Sequence, residues 1–368
     1  IISDGTRVLG LGDIGPAAAL PVMEGKALLF KLLGGVDAFP LCLDTKDKTE
    51  FIRTAKLLHP SFGGINLEDI AQPKCFDILN QLRRDCRIPV WHDDQQGTAA
   101  VTLAGVINAL KFVNKHIREI KITLVGAGAA NICIARLLIK YGADPGKMLV
   151  CDSRGMLNRE RKDLRLTYPE KWSLCRITNK NNQTGTIPDA IKNADLLIAL
   201  STPGPGVILP DWISTMNKNA IVFTCANPTP EIWPWDAKSA GAQIVATGRS
   251  DFPNQVNNSL GFPGIFRGVL DVQAAEITDE MCLTSSTSIA KYAETKGLRD
   301  DYIIPTMEQW EVYPTVAAAV GMNAIRQKLA RKIFTRDKLY RTAYEIIAHA
   351  RRELQVLMRT GIIPAPPK

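Results

Sequence analysis

The alternation of apolar and polar positions changes character near residue 97. Residues 1 to 95 mix short apolar strands with glycine turns, and the chain opens on Ile1-Ile2 as though already inside a strand. From Gly97 the pattern becomes helix and strand in alternation. Residues 98–113 predict an apolar helix, 122–125 a short buried strand closed by Gly126, and 129–141 a helix with Ile132, Ala135, Leu138 and Ile139 on one face. Further short strands are predicted at 148–151, 196–200, 220–224 and 243–246. Repeated strand–helix units imply a mostly parallel sheet covered on both faces, a doubly wound α/β domain. The stretch 160–188 is polar, carries Asn179-Lys180-Asn181-Asn182 and has no period, which predicts a surface excursion. After Pro263 the pattern is largely helical, through 279–295, 314–334 and 335–358. The tail 362–368, IIPAPPK, cannot continue a helix. The expected division is a smaller α/β domain over 1–96, a Rossmann-like doubly wound domain over 97–285, and a helical region over 286–368 packing on the first.

With 368 residues, 46% of them hydrophobic, the chain is long enough for more than one domain and a large core. No apolar run approaches the roughly 18 residues that span a bilayer, and no basic and apolar leader opens the sequence. Eight cysteines are scattered without paired spacing, which fits a reducing cytoplasm. Much of the net charge of +8 lies between Arg326 and Arg359. There it alternates with Leu329, Ile333, Leu339, Tyr344, Ile347 and Leu354, the solvated face of amphipathic helices. No nucleic-acid-binding module accompanies it. Attraction of an anionic substrate is the more natural use of the charge.

Gly126-Ala127-Gly128-Ala129-Ala130-Asn131 lies between a predicted strand and a predicted helix. The first glycine permits a tight turn, the second lets the backbone approach a pyrophosphate, and the helix N-terminus offers N–H groups to it. Asn131 replaces the third glycine, which is expected to cost close helix–strand packing; a structural turn without ligand is the alternative. Asp152 ends the next strand, where an acid binds the ribose hydroxyls of NAD. Ser153 and Arg154 follow at once, and an arginine suits the 2′-phosphate of NADP. Both cofactors stay open. Ser201-Thr202 and Asn227 follow strand ends, where open sheets bind ligands, although proline-linked turns would explain them too.

Four acids, Glu68-Asp69 and Asp93-Asp94, stand in an otherwise apolar, glycine-rich region. Such a set suits a hard divalent ion, Mg²⁺ or Mn²⁺. The alternative is that Asp69 and Asp94 cap following helices.

Taken with their neighbours, these residues resemble the malic enzymes. The resemblance lies in SDGTRVLGLGDIG (3–15), PVMEGK (21–26), NLEDI (66–70), HDDQQGTA (92–99), CANPTPE (225–231) and PNQVNNSLGFPGIFRG (253–268), in consistent order over most of residues 1–320. It implies oxidative decarboxylation of malate with reduction of NAD or NADP. It also implies Glu68, Asp69 and Asp94 as ligands of the divalent ion, Lys26 as general base, and Asp93 as the acid that orients Lys26. Arg7 would bind a substrate carboxylate and Asn227 and Asn258, with Asn257 as a second possibility, would contact substrate. Members of the family are dimers or larger, so a homodimer or higher homo-oligomer is expected. The resemblance further implies a segment upstream of Ser3 that carries a general-acid tyrosine. On that basis the chain is expected to be a truncated or processed form, with the acid supplied by a partner chain. A silent or truncated NAD(P)-binding regulatory subunit is the competing reading, and an amino-acid dehydrogenase, which needs no metal, is a third. Lys26, Asp93 and the three ligand acids argue against silence. Of the histidines, His92 reads as an orienting or packing residue.

Overall fold

The computed structural model describes residues 1–364; the remaining part of the proline-containing tail, 365–368, lies outside the described residues. Strands β1 (Ile2–Ser3), β2 (Leu41–Cys42), β3 (Ile65–Leu67) and β4 (Val90–His92) make a parallel sheet in the order β2-β1-β3-β4. The second sheet contains β5 (Ile122–Val125), β6 (Met148–Asp152), β7 (Gly155–Met156), β8 (Leu196–Ala199), β9 (Ala220–Thr224) and β10 (Ala242–Thr247). Its order is β10-β9-β8-β5-β6-β7, parallel except for the β6–β7 pair. Chain order reverses between β5 and β8, the switch point at which open α/β sheets leave a crevice.

Three helices, not individually placed by the pattern of short strands and glycine turns, make up the α part of this region: α1 (Gly15–Gly34), α2 (Lys48–Leu58) and α3 (Lys74–Asp85). The helix α1 is apolar around most of its circumference and contains Pro16 at its start and Pro21 inside, so neither a stripe nor an unbroken run announces it. It is held by burial of Met23, Phe30 and Leu33; the Phe30 ring lies 4.5 Å from that of Phe262 and 5.1 Å from that of Phe266.

Helices α4 (Thr98–Phe112) and α5 (Ala129–Tyr141) fall where the apolar periodicity puts them. Five short helices follow: α6 (Leu164–Thr167), α7 (Pro169–Ile177), α8 (Ile187–Ile191), α9 (Pro210–Ile213) and α10 (Pro234–Ser239). The first two lie within the stretch 160–188, expected as a surface excursion without period, and α8 begins at its end. Pro169 starts α7, and its inner side buries only Leu174 and Cys175, too few apolar positions to make a period legible. The long C-terminal helices are α11 (Phe262–Asp271), α12 (Asp279–Thr295), α13 (Val312–Arg326) and α14 (Arg336–Arg359). A left-handed Lys328 (φ 61°) ends the expected 314–334 helix early. Helix α12 packs on α4, and α14 on α1 and α13; α12 itself runs unbroken through residues 285 and 286. No helix among the described residues is long and apolar enough to cross a membrane.

Candidate active site

Parallel register brings the two acidic pairs together. Leu67 of β3 lies beside His92 of β4, so the next residues of both strands, Glu68-Asp69 and Asp93-Asp94, emerge side by side from one sheet edge. Ile2 of β1 pairs with Leu67, which brings Asp4 to Arg7 out at the same edge. Asp69 then adopts a left-handed conformation (φ 56°), tolerated by a short polar side chain, and turns the chain. Its N–H donates to Asp94 Oδ2 at 2.9 Å. One carboxylate oxygen from each of Glu68, Asp69 and Asp94 lies within 4.8 Å of the others. Neither aspartate caps a helix: α3 begins after Pro73 and α4 after Gly97, both without a side-chain cap bond.

Lys26, on α1, reaches into this cluster. Its Nζ donates to Asp93 Oδ2 at 2.6 Å, lies 3.0 Å from Glu68 Oε1 and stands 4.4 Å from the centroid of the Phe262 ring. Asp93 is fully buried and takes a second bond from Trp91 Nε1 to Oδ1 at 2.9 Å. Residues 93–97 form a single π-type turn ahead of α4, a local widening common at functional sites. Gly97 is required there, because a Cβ at that position would stand 1.8 Å from Asp93 Oδ1.

The electrostatics are those of crowded buried carboxylates. Burial, with Asp94 next in weight, pushes Asp69 up to about 8. Burial also raises Glu68 well above its usual range, against the attraction of Lys26. For Lys26 burial disfavours the charge, but Asp93 and then Glu68 outweigh it and raise the ammonium above its ordinary value. Asp69 has no cationic side chain within ion-pair distance among the described residues. Buried acids short of counter-charge, with oxygens converging from three residues, fit a hard divalent cation. His92 is buried, its pKa lowered by that burial; neither ring nitrogen makes a hydrogen bond, and Nδ1 lies 3.6 Å from Asp94 Oδ2.

The other wall comes from the second sheet. Register pairs Val125 with Cys151 and Ala199, and Thr224 with Ala199 and Thr247. The segments beginning at Gly126, Ser201, Cys225 and Gly248 therefore meet at one edge. A cavity of about 320 Å³ opens there, lined by Gly128, Ala129, Ala130, Ser201, Asn227, Asn257 and Asn258 together with Arg7 and Asp94. Gly126 holds φ 93°, and a Cβ there would lie 2.3 Å from the Leu200 carbonyl oxygen; at Gly128 nothing lies within 4 Å of a Cβ. That tight turn beside open space, at the start of α5, is the shape a pyrophosphate needs.

Asn131 does not loosen the helix. Its Nδ2 donates to the carbonyls of Val125 and Gly126 at 2.9 and 2.8 Å, fastening α5 to the end of β5. Asn257 uses its side chain on Ser259 N–H. Thr202, Ser153 and Arg154 are exposed and stand off the cavity wall, and Arg154 pairs with Asp163 at 3.2 Å. Asp152 is engaged by a residue that sequence reasoning missed, Arg161, through bonds of 3.0 and 3.1 Å. Glu231 was missed as well. Fully buried, it accepts from Ser201 N–H and Oγ and from Ala226 N–H, joining the loops after β8 and β9. Thr102, one turn into α4, also lines the cavity and has an unpartnered buried Oγ1. None of the tyrosines lines the cavity among the described residues.

Comparison with known proteins agrees with this geometry. Residues 1–83 match the family model "Malic enzyme, N-terminal domain" and residues 95–325 match "Malic enzyme, NAD binding domain". A bifunctional malic/malolactic enzyme of Bacillus subtilis is 48% identical over 90% of this chain and 79% of its own length. An NADP-dependent malic enzyme of Halomonas elongata is 40% identical over 90% of this chain and 80% of its own. The crystal structure of Entamoeba histolytica malic enzyme superposes with a TM-score of 0.97 at 49% identity, covering 100% of this chain and 77% of that one. With both family models, these relatives and the fold in agreement, the chain belongs to the malic enzyme family.

Proposed function

We propose that this chain carries the malate-oxidising and decarboxylating centre of a malic enzyme, converting L-malate to pyruvate and CO₂ with reduction of NAD or NADP. The observation that carries the reading is the buried Lys26–Asp93–Glu68 cluster beside Asp69 and Asp94, with Asp94 lining the cavity at the switch point. Glu68, Asp69 and Asp94 would hold Mg²⁺ or Mn²⁺, which when bound supplies a Lewis acid for the C2 oxygen. Gly128 to Ala130 would seat the pyrophosphate of the dinucleotide, which when bound accepts hydride from C2.

The chain's own residues do the rest. Lys26 would take the proton of the C2 hydroxyl as the neutral amine. Asp93 and Glu68 favour its ammonium, so it must first give up a proton, which a divalent ion held by the three acids would favour. Asp93, fixed by Trp91, holds the amine in place. Arg7 presents a planar fork to a substrate carboxylate. Asn227 and Asn258 contact the substrate without adding charge. Glu231 positions the Ser201 and Ala226 backbones that frame the cavity. No residue of this chain is assigned to protonating the enol carbon.

The test incubates purified protein with L-malate and Mn²⁺, with NAD and NADP in parallel, with and without chelator, following reduced cofactor and pyruvate. Chelator-sensitive formation of both supports the proposal. Cofactor binding without turnover would favour the silent, regulatory reading.

A further inference from the structure

A second cavity, of about 240 Å³, lies against the 93–97 turn, among α3, α5 and the start of α12. It shares no lining residue with the cavity at the switch point: Asp94 lines that one, whereas Gln95 and Gln96 line this one. Part of its wall is apolar, made by Phe76 and Leu79 of α3, Ala99 of α4 and Leu137 of α5, all buried.

The polar lining is short of negative charge. Arg83 and Arg136 bring two guanidiniums and Asp279 one carboxylate, which leaves one positive charge in excess. Arg83 donates to backbone carbonyls alone, that of Ile277 at 2.6 Å and that of Val90 at 3.4 Å. Neither guanidinium has a carboxylate within ion-pair distance among the described residues; the neighbouring Glu280 is taken by Lys140 at 2.6 Å. The three charges face one small space. Burial pushes the Cys133 thiol in its wall up to about 12, with Asp279 adding to the shift and Arg136 and Arg83 opposing it. Amide donors are free as well. Gln95 is 3% exposed and its Nε2 has no partner among the described residues, while Gln96 Nε2 has only Cys282 Sγ, at 3.9 Å. Planar guanidiniums and amide N–H groups suit a carboxylate, and Asp279 disfavours a second negative charge on it.

We infer that this cavity is a second ligand site, which takes a small monocarboxylate with an apolar tail and acts as an effector of the acidic cluster. The carboxylate meets Arg83, Arg136 and the Gln95 amide, and the tail lies on Phe76, Leu79 and Leu137. The route to the cluster is short. Gln95 and Gln96 belong to the same single turn as Asp93 and Asp94, and Gln96 Oε1 accepts from His92 N–H at 3.0 Å at the end of β4. A ligand that fixes these amides therefore bears on how the turn presents its two acids. The effector role rests on the metal reading proposed above; the site itself does not.

The test titrates the metal-free protein calorimetrically with butyrate, 1-butanol and inorganic phosphate, without malate. Butyrate should bind once per chain and at least about tenfold more tightly than the other two, the worth of one charge-assisted bond with the tail buried. Arg136→Gln, at an exposed side chain that holds no other element, should weaken butyrate about tenfold, and Asp279→Asn should tighten it. Arg7→Gln should leave it unchanged. Equal binding of phosphate or 1-butanol overturns the inference, as does butyrate affinity indifferent to Arg136→Gln. Loss of binding in Arg7→Gln overturns it too, because butyrate would then sit in the cavity at the switch point. Mn²⁺ affinity should differ about fivefold or more with and without saturating butyrate, and an unchanged affinity removes the effector role. Failure of Mn²⁺ to bind at all would sink the metal reading and the effector role together, with the butyrate titration deciding the site by itself.

Discussion

Metal binding at the carboxylate trio should release protons, in an amount the geometry sets. Asp69 is pushed up to about 8 by burial and by Asp94, and Glu68 is raised in the same direction. A group titrating near 8 is about nine-tenths protonated at pH 7, so a divalent ion that requires the carboxylate should displace about one proton per site there, with more if Glu68 contributes. By linkage the apparent Mn²⁺ affinity should rise about tenfold per pH unit between pH 6 and 7.5 and level off above about 8. The sign for the metal-free protein follows from the same shift. The folded pKa lies above the unfolded value, so the folded state binds the extra proton between about pH 4 and 8. The associated stability is present below the unfolded pKa and is lost as pH rises through that window, by up to about 1.4 kcal/mol per pH unit per group. The assay is titration calorimetry of metal-free protein with Mn²⁺ in two buffers of different ionisation enthalpy at pH 6, 7 and 8. Buffer-independent heats together with an affinity flat across that range would refute the reasoning, because the acids would then be ionised and free of mutual crowding. Asp94→Asn, which removes the neighbour next in weight after burial, should diminish both the proton release and the affinity.

Lys26→Gln should lower kcat in the malate assay by about 10² to 10⁴, the usual worth of general acid–base catalysis, with thermal stability checked alongside; unchanged turnover would remove Lys26 as the base. Asn131→Ala should cost about 1 to 3 kcal/mol in urea unfolding, because two donated bonds at the β5–α5 junction are lost. Gly126→Ala should cost on the order of 3 kcal/mol in the same measurement, since φ 93° and a Cβ 2.3 Å from the Leu200 carbonyl oxygen penalise any side chain.

The sequence by itself determined the elements whose burial is one-sided or complete over a short span. The strands β5, β6, β8, β9 and β10 and the helices α4 and α5 stand within a residue of where periodicity put them, because an apolar strand closed by glycine, or an apolar stripe at helical spacing, is a local signal. Four acids in two pairs also raised the expectation of a cation, as charge in apolar surroundings must be answered. Tertiary structure decided the rest. That Glu68 stands beside Asp93, and Asp69 beside Asp94, is a fact of parallel register between β3 and β4, invisible to spacing because the strands are joined by a helix. The helix α1, which delivers Lys26, has no periodic stripe and contains an internal proline, so only its packing against α11 and α14 reveals it. Asn131 read as a lost glycine, yet its amide fastens α5 to β5, a bond that local propensity cannot show. Arg161 was hidden in a polar stretch without period, and its grip on Asp152 exists only because the chain folds back over the end of β6. Local propensity is set by neighbours in sequence, whereas charge compensation and close approach depend on neighbours in space, and only the folded chain provides those.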